Sequence, residues 1–299
     1  MVPPLISYVT FNRLGLTIRN LSAILDSDGD FEIRIVDNGS TDDTWQYLQS
    51  LNDSRIKSRL QNGVNTGQTY ALNLNLVQRK PDQYFITLDN DVYIGTKDWI
   101  KHFMKVFRAF PDVGLLGVQG IGPLPGDPAP FIPRKDGKVS FLELDKDAPF
   151  SEQTYIPGFC QCLSPELLEE IGFWNEENGF GEVDLTLRVN QYTPFKAGLV
   201  TDIDIEMPQT LDCSSCPYQD KCGFDKVEET CFTTYQKHYK NDAFKKKYHW
   251  KFVETKKDME SGARPVYCAS ALNAESMEKH IFNLDWALEN HRFYIENAN

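Results

Sequence analysis

Two acidic residues separated by one position follow an apolar run, Phe85-Ile86-Thr87-Leu88 leading into Asp89-Asn90-Asp91. Carboxylates at i and i+2 repel each other if buried without a cation. A hard divalent ion such as Mn2+ or Mg2+ takes oxygen ligands and shares its shell with substrate phosphates, so a diphosphate-bearing substrate would complete such a site. For a lone pair of this kind a solvated turn is the better reading, and it is the other motifs of the chain that weigh against it. Asp37, in Asp37-Asn38-Gly39-Ser40-Thr41-Asp42, offers a second chemistry. An ionised carboxylate only accepts, so it can take the imino N–H of uracil or thymine or the N1–H and N2–H of guanine, and finds no donor on cytosine N3. The same residues also suit an Asx-type turn before a helix capped by Thr41 or Asp42. Third, Cys213, Cys216, Cys222 and Cys231 have the spacing C-x2-C-x5-C-x8-C. Four thiolates in a short segment with little apolar content suit a structural Zn2+; an iron-sulfur cluster, two disulfides or free thiols are the alternatives.

The elements that must position these groups alternate. Leu5 to Phe11, Glu32 to Val36, Tyr84 to Leu88 and Val113 to Val118 read as strands, while Leu14 to Leu25, Asp42 to Leu51, Gly67 to Val77 and Lys97 to Phe107 read as helices. Strands that are apolar on both faces imply a mostly parallel sheet covered by crossover helices, an open α/β fold. Ligands bind beyond the carboxyl ends of such strands, where Thr10 to Arg13, Asp37 to Asp42 and Asp89 to Asp91 stand. No G-x-G-x-x-G follows the first strand and no G-x-x-x-x-G-K-[ST] occurs, so a nucleotide would be held in another way.

Ile35 to Thr44, then Asn65-Thr66-Gly67 with Ala71-Leu72-Asn73, then Leu88 to Asp91, resemble glycosyltransferase family 2 in order and spacing. Gly179 to Arg188 is similar to that family's acceptor-side acidic motif, and Tyr239 to Trp250 to its C-terminal tail. The resemblance implies a GT-A fold and metal-dependent transfer of a sugar, with inversion, from a nucleotide-diphosphate sugar, a UDP-sugar first, to a hydroxyl acceptor. It places Thr10, Asn12 and Asp37 around the nucleoside, with Asp37 on the base. Asn65, Gly67 and Asn73 would line the same pocket, Asp89 would approach the ribose or sugar and possess a share in the metal site, and Asp91 would bind Mn2+ or Mg2+ directly.

On the opposite face a hydroxyl acceptor needs a general base, for which Glu182 and Asp184 are the candidates. They open a helix-like run whose N-terminal dipole should keep a carboxylate ionised. The family pattern Gly-Glu-Asp-x-Asp-Leu is one acid short here, in Glu182-Val183-Asp184, and Glu182 is preferred. Relatives often place a metal- or diphosphate-binding His near Met207, which cannot coordinate a hard cation well; His238 is the candidate substitute. Pro157 to Cys162 resembles the family's strand beside the acceptor, with Cys160 and Cys162 as small core side chains.

Three halves and extensions follow: 1–120 for the nucleotide-sugar, 121–210 for the acceptor within the same domain, and 211–299 for a cysteine knuckle with a helical extension. Five prolines between Pro123 and Pro133, then a hairpin at Asp136-Gly137, suggest an ordered loop over the cleft. Phe232 to Lys257 carries eight Lys against one Asp and one Glu and suits a solvated helix face or an anionic acceptor. Met277, Ile281, Leu284 and Leu288 form one stripe for packing or a homodimer. The 299 residues are 41% hydrophobic, enough for a sizeable core, and a net charge of -12 argues against a general polyanion coat. The chain has no apolar run of membrane-spanning length and no basic leader before Leu5, so a cytoplasmic protein is expected. A catalytically silent sugar- or nucleic-acid-binding module and a nucleotidyltransferase are the competing readings. Intact Asp37, Asp91 and Glu182 count against the first, and the missing Gly-rich activating loop counts against the second.

Overall fold

Apolar residues two apart on each strand divide the interior into two layers. In the computed structural model, which describes residues 2–120, 124, 130–207 and 242–296, strand β1 (Leu5–Thr10) sends Ile6 and Tyr8 to one face and Leu5 to the other. Ile33 and Ile35 of β2 (Glu32–Asp37) join the first layer, against Leu21 of α1 (Leu14–Leu25), Leu48 of α2 (Thr44–Ser50) and Phe103 of α4 (Trp99–Ala109). The second layer packs Phe85 of β4 (Phe85–Asp89) on Leu72 of α3 (Gln68–Leu76), with Leu167 of α5 (Pro165–Ile171) and Leu185 of α6 (Gly181–Tyr192).

Nine strands run in the order β3-β2-β1-β4-β9-β6-β10-β8-β7. The additional members are β3 (Ile56–Gln61), β6 (Val113–Val118), β7 (Phe131–Asp136), β8 (Val139–Leu144), β9 (Cys160–Leu163) and β10 (Lys196–Val200). Pairings among β1 to β4 are parallel, as is β6 with β10, while β9 is antiparallel to both β4 and β6. A two-stranded ribbon joins β5 (Tyr93–Ile94) to β11 (Ile205–Glu206). This is an α/β fold with a mostly parallel centre. The sequence reading has no strand at β3, whose residues Ile56-Lys57-Ser58-Arg59-Leu60-Gln61 are largely exposed and lack the continuous apolar run of an inner strand.

The Pro-rich segment differs from expectation in its second half. The hairpin forms, with Gly137 at φ 55 in its turn, and β8 pairs with β10, so β7 and β8 extend the main sheet. Pro133 is accommodated because β7 is the outermost strand, where a missing N–H donor breaks no inner ladder. Cys160 and Cys162 are free thiols buried in the first layer, as expected of core side chains.

Beyond β11 the described chain resumes in α7 (Asp242–Glu260), followed by α8 (Ala274–Lys279) and α9 (Leu284–Glu296). The stripe of Met277, Ile281, Leu284 and Leu288 is therefore not one helix. Residues 280–283 break it, and Ile281, Leu284 and Leu288 are all exposed. Cys213, Cys216, Cys222, Cys231 and His238 lie outside the described residues. Among the described residues no helix is long and apolar enough to cross a membrane.

Candidate active site

Parallel pairing brings the carboxyl ends of β1, β2 and β4 to one edge of the sheet, with Thr10 in register with Asp37 and Val9 with Asp89. The middle residue of Asp89-Asn90-Asp91 is the anchor. Asn90 is buried and its Nδ2 donates to Thr10 Oγ1 at 2.9 Å and to the carbonyl of Asn12 at 3.2 Å, while Asn20 Nδ2 donates to its carbonyl at 2.8 Å. With Asn90 turned inward, Asp89 and Asp91 are both left partly exposed. β5, two residues on, fixes the chain after Asp91 by pairing with β11, and Arg19 secures that ribbon with a two-point ion pair to Glu206 and its guanidinium 4.0 Å from the Tyr93 ring centroid.

Burial drives the Asp89 carboxyl well above the ordinary carboxylate range, and the nearby Asp91 and Glu182 push it further. Arg13 and a 2.8 Å hydrogen bond from Gln68 Nε2 oppose the rise. Arg13 Nη1 lies 2.6 Å from Asp91 Oδ2. Oxygen donors that repel one another fit a hard divalent ion, which relieves the repulsion. Among the described residues no three His, Cys, Asp or Glu side chains converge as a protein-only metal cage. Met207, where relatives carry His, packs instead against the first core layer.

Glu182 occupies the first turn of α6. Its carboxyl is raised by burial, so loss of hydration outweighs the helix-dipole effect that the sequence suggests. Gly158 faces it: a Cβ there would lie 3.4 Å from Glu182 Oε2. Asp184, the other candidate, is engaged by its neighbours. Its Oδ2 accepts from Arg188 Nε at 2.7 Å and its Oδ1 from Asn178 at 2.7 Å and Asn175 at 3.2 Å, with both ion-pair side chains almost fully buried. Arg188 in turn donates to the carbonyls of Ile171 and Phe173, so Asp184 holds the loop in front of α6.

The residues expected around the nucleotide divide similarly. Asp37 is buried and its carboxyl raised by burial; Oδ1 accepts from the Ser40 N–H at 3.0 Å, and Gln61 Nε2 stands 3.4 Å from Oδ2. Thr10 and Asn12 build the loops rather than offering free polar tips. Asn12 Oδ1 accepts from the Thr41 N–H at 2.7 Å, and Thr10 Oγ1 receives Asn90. Asn65 Oδ1 accepts from Asn38 Nδ2 and the Gly67 N–H, both at 2.9 Å. The Asn73 carboxamide bonds Trp174 through both backbone groups and Glu176 Oε1 at 2.7 Å, tying α3 to the loop before α6. Sequence reasoning missed Asn38, whose Nδ2 and Oδ1 join the loops 37–42 and 62–67, and also Arg13, Gln68 and Asn90. A polar residue flanked by two functional ones was the available signal for Asn90, and a polar residue next to Asp37 the signal for Asn38.

The C-terminal helices converge on the same region. Glu177 forms a two-point ion pair with Arg264 and accepts from the Asn283 N–H, Glu176 accepts from Ser270 Oγ and the Ala271 N–H, and Asn290 Nδ2 donates to both their carbonyls. Between α3, this loop, α7 and α9 lies a small cleft of about 40 Å3 lined by Thr66, Tyr70, Glu176, Gly179, Tyr248 and His291 among others. Tyr70 and His291 rings are 4.6 Å apart there. Of the basic segment, Lys247 and Lys251 pair with Glu289, Lys256 with Glu260 and Lys257 with Glu254, so this part of it is largely neutralised.

The sequence profile of Glycosyl transferase family 2 matches residues 6–171, more than half the chain. The chain belongs to this family. It is 28% identical over 204 residues to a beta-monoglucosyldiacylglycerol synthase of Synechocystis sp. (strain ATCC 27184 / PCC 6803 / Kazusa), covering 64% of this chain and 40% of that protein. This family member thus spans well under half the length of that relative. S. aureus TarS 1-349 in complex with UDP superposes with a TM-score of 0.51 at 20% identity, covering 67% of this chain and 58% of the other. Mannosyltransferase PcManGT from Pyrobaculum calidifontis, in complex with GDP-Man and Mn2+, does so with a TM-score of 0.51 at 14% identity over 98% and 85% of the two chains. Both likenesses are of fold.

Proposed function

We propose that the chain transfers a sugar from a nucleotide-diphosphate sugar, with a UDP-sugar as first choice, to a hydroxyl acceptor with inversion. The observation that carries this reading is the placement of Asp89 and Asp91 at the carboxyl end of β4, beside the ends of β1 and β2 that carry Thr10 and Asp37, with Glu182 near enough to push the Asp89 carboxyl up. Family membership and the UDP, GDP-Man and Mn2+ in the complexes of similar fold support it. Asp37 takes the base, and Asp91 with Asp89 would hold Mn2+ or Mg2+. A bound divalent ion supplies Lewis-acid stabilisation of the departing diphosphate. Glu182 removes the proton of the acceptor hydroxyl, on the face opposite the leaving group, as that oxygen bonds to the anomeric carbon. The cleft beside Tyr70 and His291 is the proposed acceptor side, one wall of which comes from α9. The four cysteines are proposed to bind Zn2+, testable by metal analysis of the purified chain against a Cys213→Ser variant.

Calorimetric titration with UDP and Mn2+ tests the central claim. Binding that depends on both and is lost in Asp91→Ala is expected; absence of binding across UDP and GDP, or indifference to Asp91→Ala, would sink it. Hydrolysis of a panel of sugar nucleotides then identifies the donor.

A further inference from the structure

An arginine stands among the acids of the cleft. Arg13 Nη1 is 2.6 Å from Asp91 Oδ2, and the two side chains are 22% and 34% exposed, within reach of an incoming ligand. The backbone beneath Arg13 is held from several sides. Asn12 and Arg13 are the only two non-glycine residues with positive φ among those described, at 54° and 63°. They are fixed by the Asn12 N–H donating to Ser40 Oγ at 2.7 Å, by Asn90 Nδ2 on the Asn12 carbonyl, and by the Leu14 N–H donating to Asp42 Oδ2 at 3.2 Å. Left-handed backbone costs free energy at non-glycine residues and persists where its surroundings impose it. The base of Arg13 is therefore rigid, while its partly exposed side chain can turn about its own torsions.

The contact has a chemical consequence. The guanidinium sits on one of the two oxygens, Oδ2, through which Asp91 could bind a divalent ion, and two cations on one carboxylate repel each other strongly. A guanidinium released from a carboxylate is well matched to a phosphate, because its planar fork makes paired hydrogen bonds to either group.

We propose that Arg13 changes partners when donor binds. In the empty cleft it neutralises Asp91; on donor binding it yields Asp91 to the divalent ion and places its guanidinium on the nucleotide's diphosphate. This rests on the proposed function and adds a diphosphate-binding residue to it. The exchange keeps the acids compensated in both states and makes metal and donor binding mutually dependent: Arg13 opposes the ion when no phosphate is present and supports the phosphate when it is.

The test compares wild type with Arg13→Met and Arg13→Lys, using as probes Mn2+ alone, a nucleoside diphosphate with Mn2+ (UDP, or GDP if the wild type binds it more tightly), and the corresponding nucleoside. Free Mn2+ is followed by electron paramagnetic resonance and the nucleotides by calorimetry. Arg13→Met is expected to bind Mn2+ alone about tenfold more tightly and the diphosphate about tenfold more weakly, the scale of one charge-assisted hydrogen bond, with nucleoside affinity unchanged as a check on folding. Arg13→Lys should fall between. Unchanged or weakened Mn2+ binding, or unchanged diphosphate binding, in Arg13→Met would overturn the exchange while leaving the transferase reading intact. Failure of the wild type to bind any nucleoside diphosphate would overturn both.

Discussion

Glu182 and Asp184 stand two residues apart on one helix and have opposite fates, one packed beside Gly158 with no ion pair among the described residues and the other locked to Arg188. A base with its pKa raised above the ordinary carboxylate value transfers protons more effectively near neutrality than an unperturbed one. Glu182→Gln is expected to lower kcat by about a hundredfold or more with donor binding retained. The acid limb of the wild-type rate profile should lie above the usual glutamate range, activity falling as the pH drops through the Glu182 pKa. Single-turnover rates across pH would check both, and a variant with full activity would exclude Glu182 as the base. Asp89 has a stability signature as well. Its folded pKa is raised, so its stabilising contribution is complete below the unfolded pKa and is lost as pH rises through the folded value. Ionised Asp89 therefore costs stability at pH 7 in the absence of metal, and Asp89→Asn should raise Tm there by about 2–4 °C while removing metal binding, with a smaller gain at pH 4. At this scale the sequence exposed the acids, through their position after apolar runs. It did not expose Asn38 or Glu176, nor the partners of Asn73, because what a buried polar group does depends on residues distant in sequence such as Trp174, 101 residues from Asn73.

Helix α1 has the bounds its apolar spacing implies, and β6 likewise, because each is buried and its pattern is set by the core. β3 escaped notice because an exposed outer strand needs no apolar run, and the hairpin at Asp136-Gly137 was legible while its joining the main sheet through β8 and β10 was not. The loop between β2 and α2 depends on Gly39, at φ 88, where an added Cβ would fall 2.5 Å from the Val64 carbonyl carbon. Gly39→Ala must displace the 62–67 loop that Asn38 ties down. A loss of about 1–3 kcal/mol in urea unfolding is expected, together with weaker UDP binding. Wild-type stability and affinity in this variant would show that the two loops are independent.

Nearly every polar bond that anchors the C-terminal helices ends on residues 176–178, a few positions before Glu182. Nothing local in the sequence announces this, since Glu177 and Arg264 are 87 positions apart. Arg264→Ala leaves the buried Glu177 carboxylate without its charge partner. It should destabilise the chain by about 3–5 kcal/mol in denaturant titration and reduce turnover beyond the fraction unfolded, whereas the paired change Glu177→Gln with Arg264→Met should recover much of the stability. Equal turnover per folded molecule in Arg264→Ala would mean that the extension does not support the base loop. The sheet has a different consequence at its two ends. β3 presents Lys57 along one rim, and β7 presents Pro133 and Lys135 along the other. A second molecule attempting to continue the ladder would meet like charge at both rims and a missing donor at one, so the nine strands are guarded against fibre-like growth during synthesis and storage.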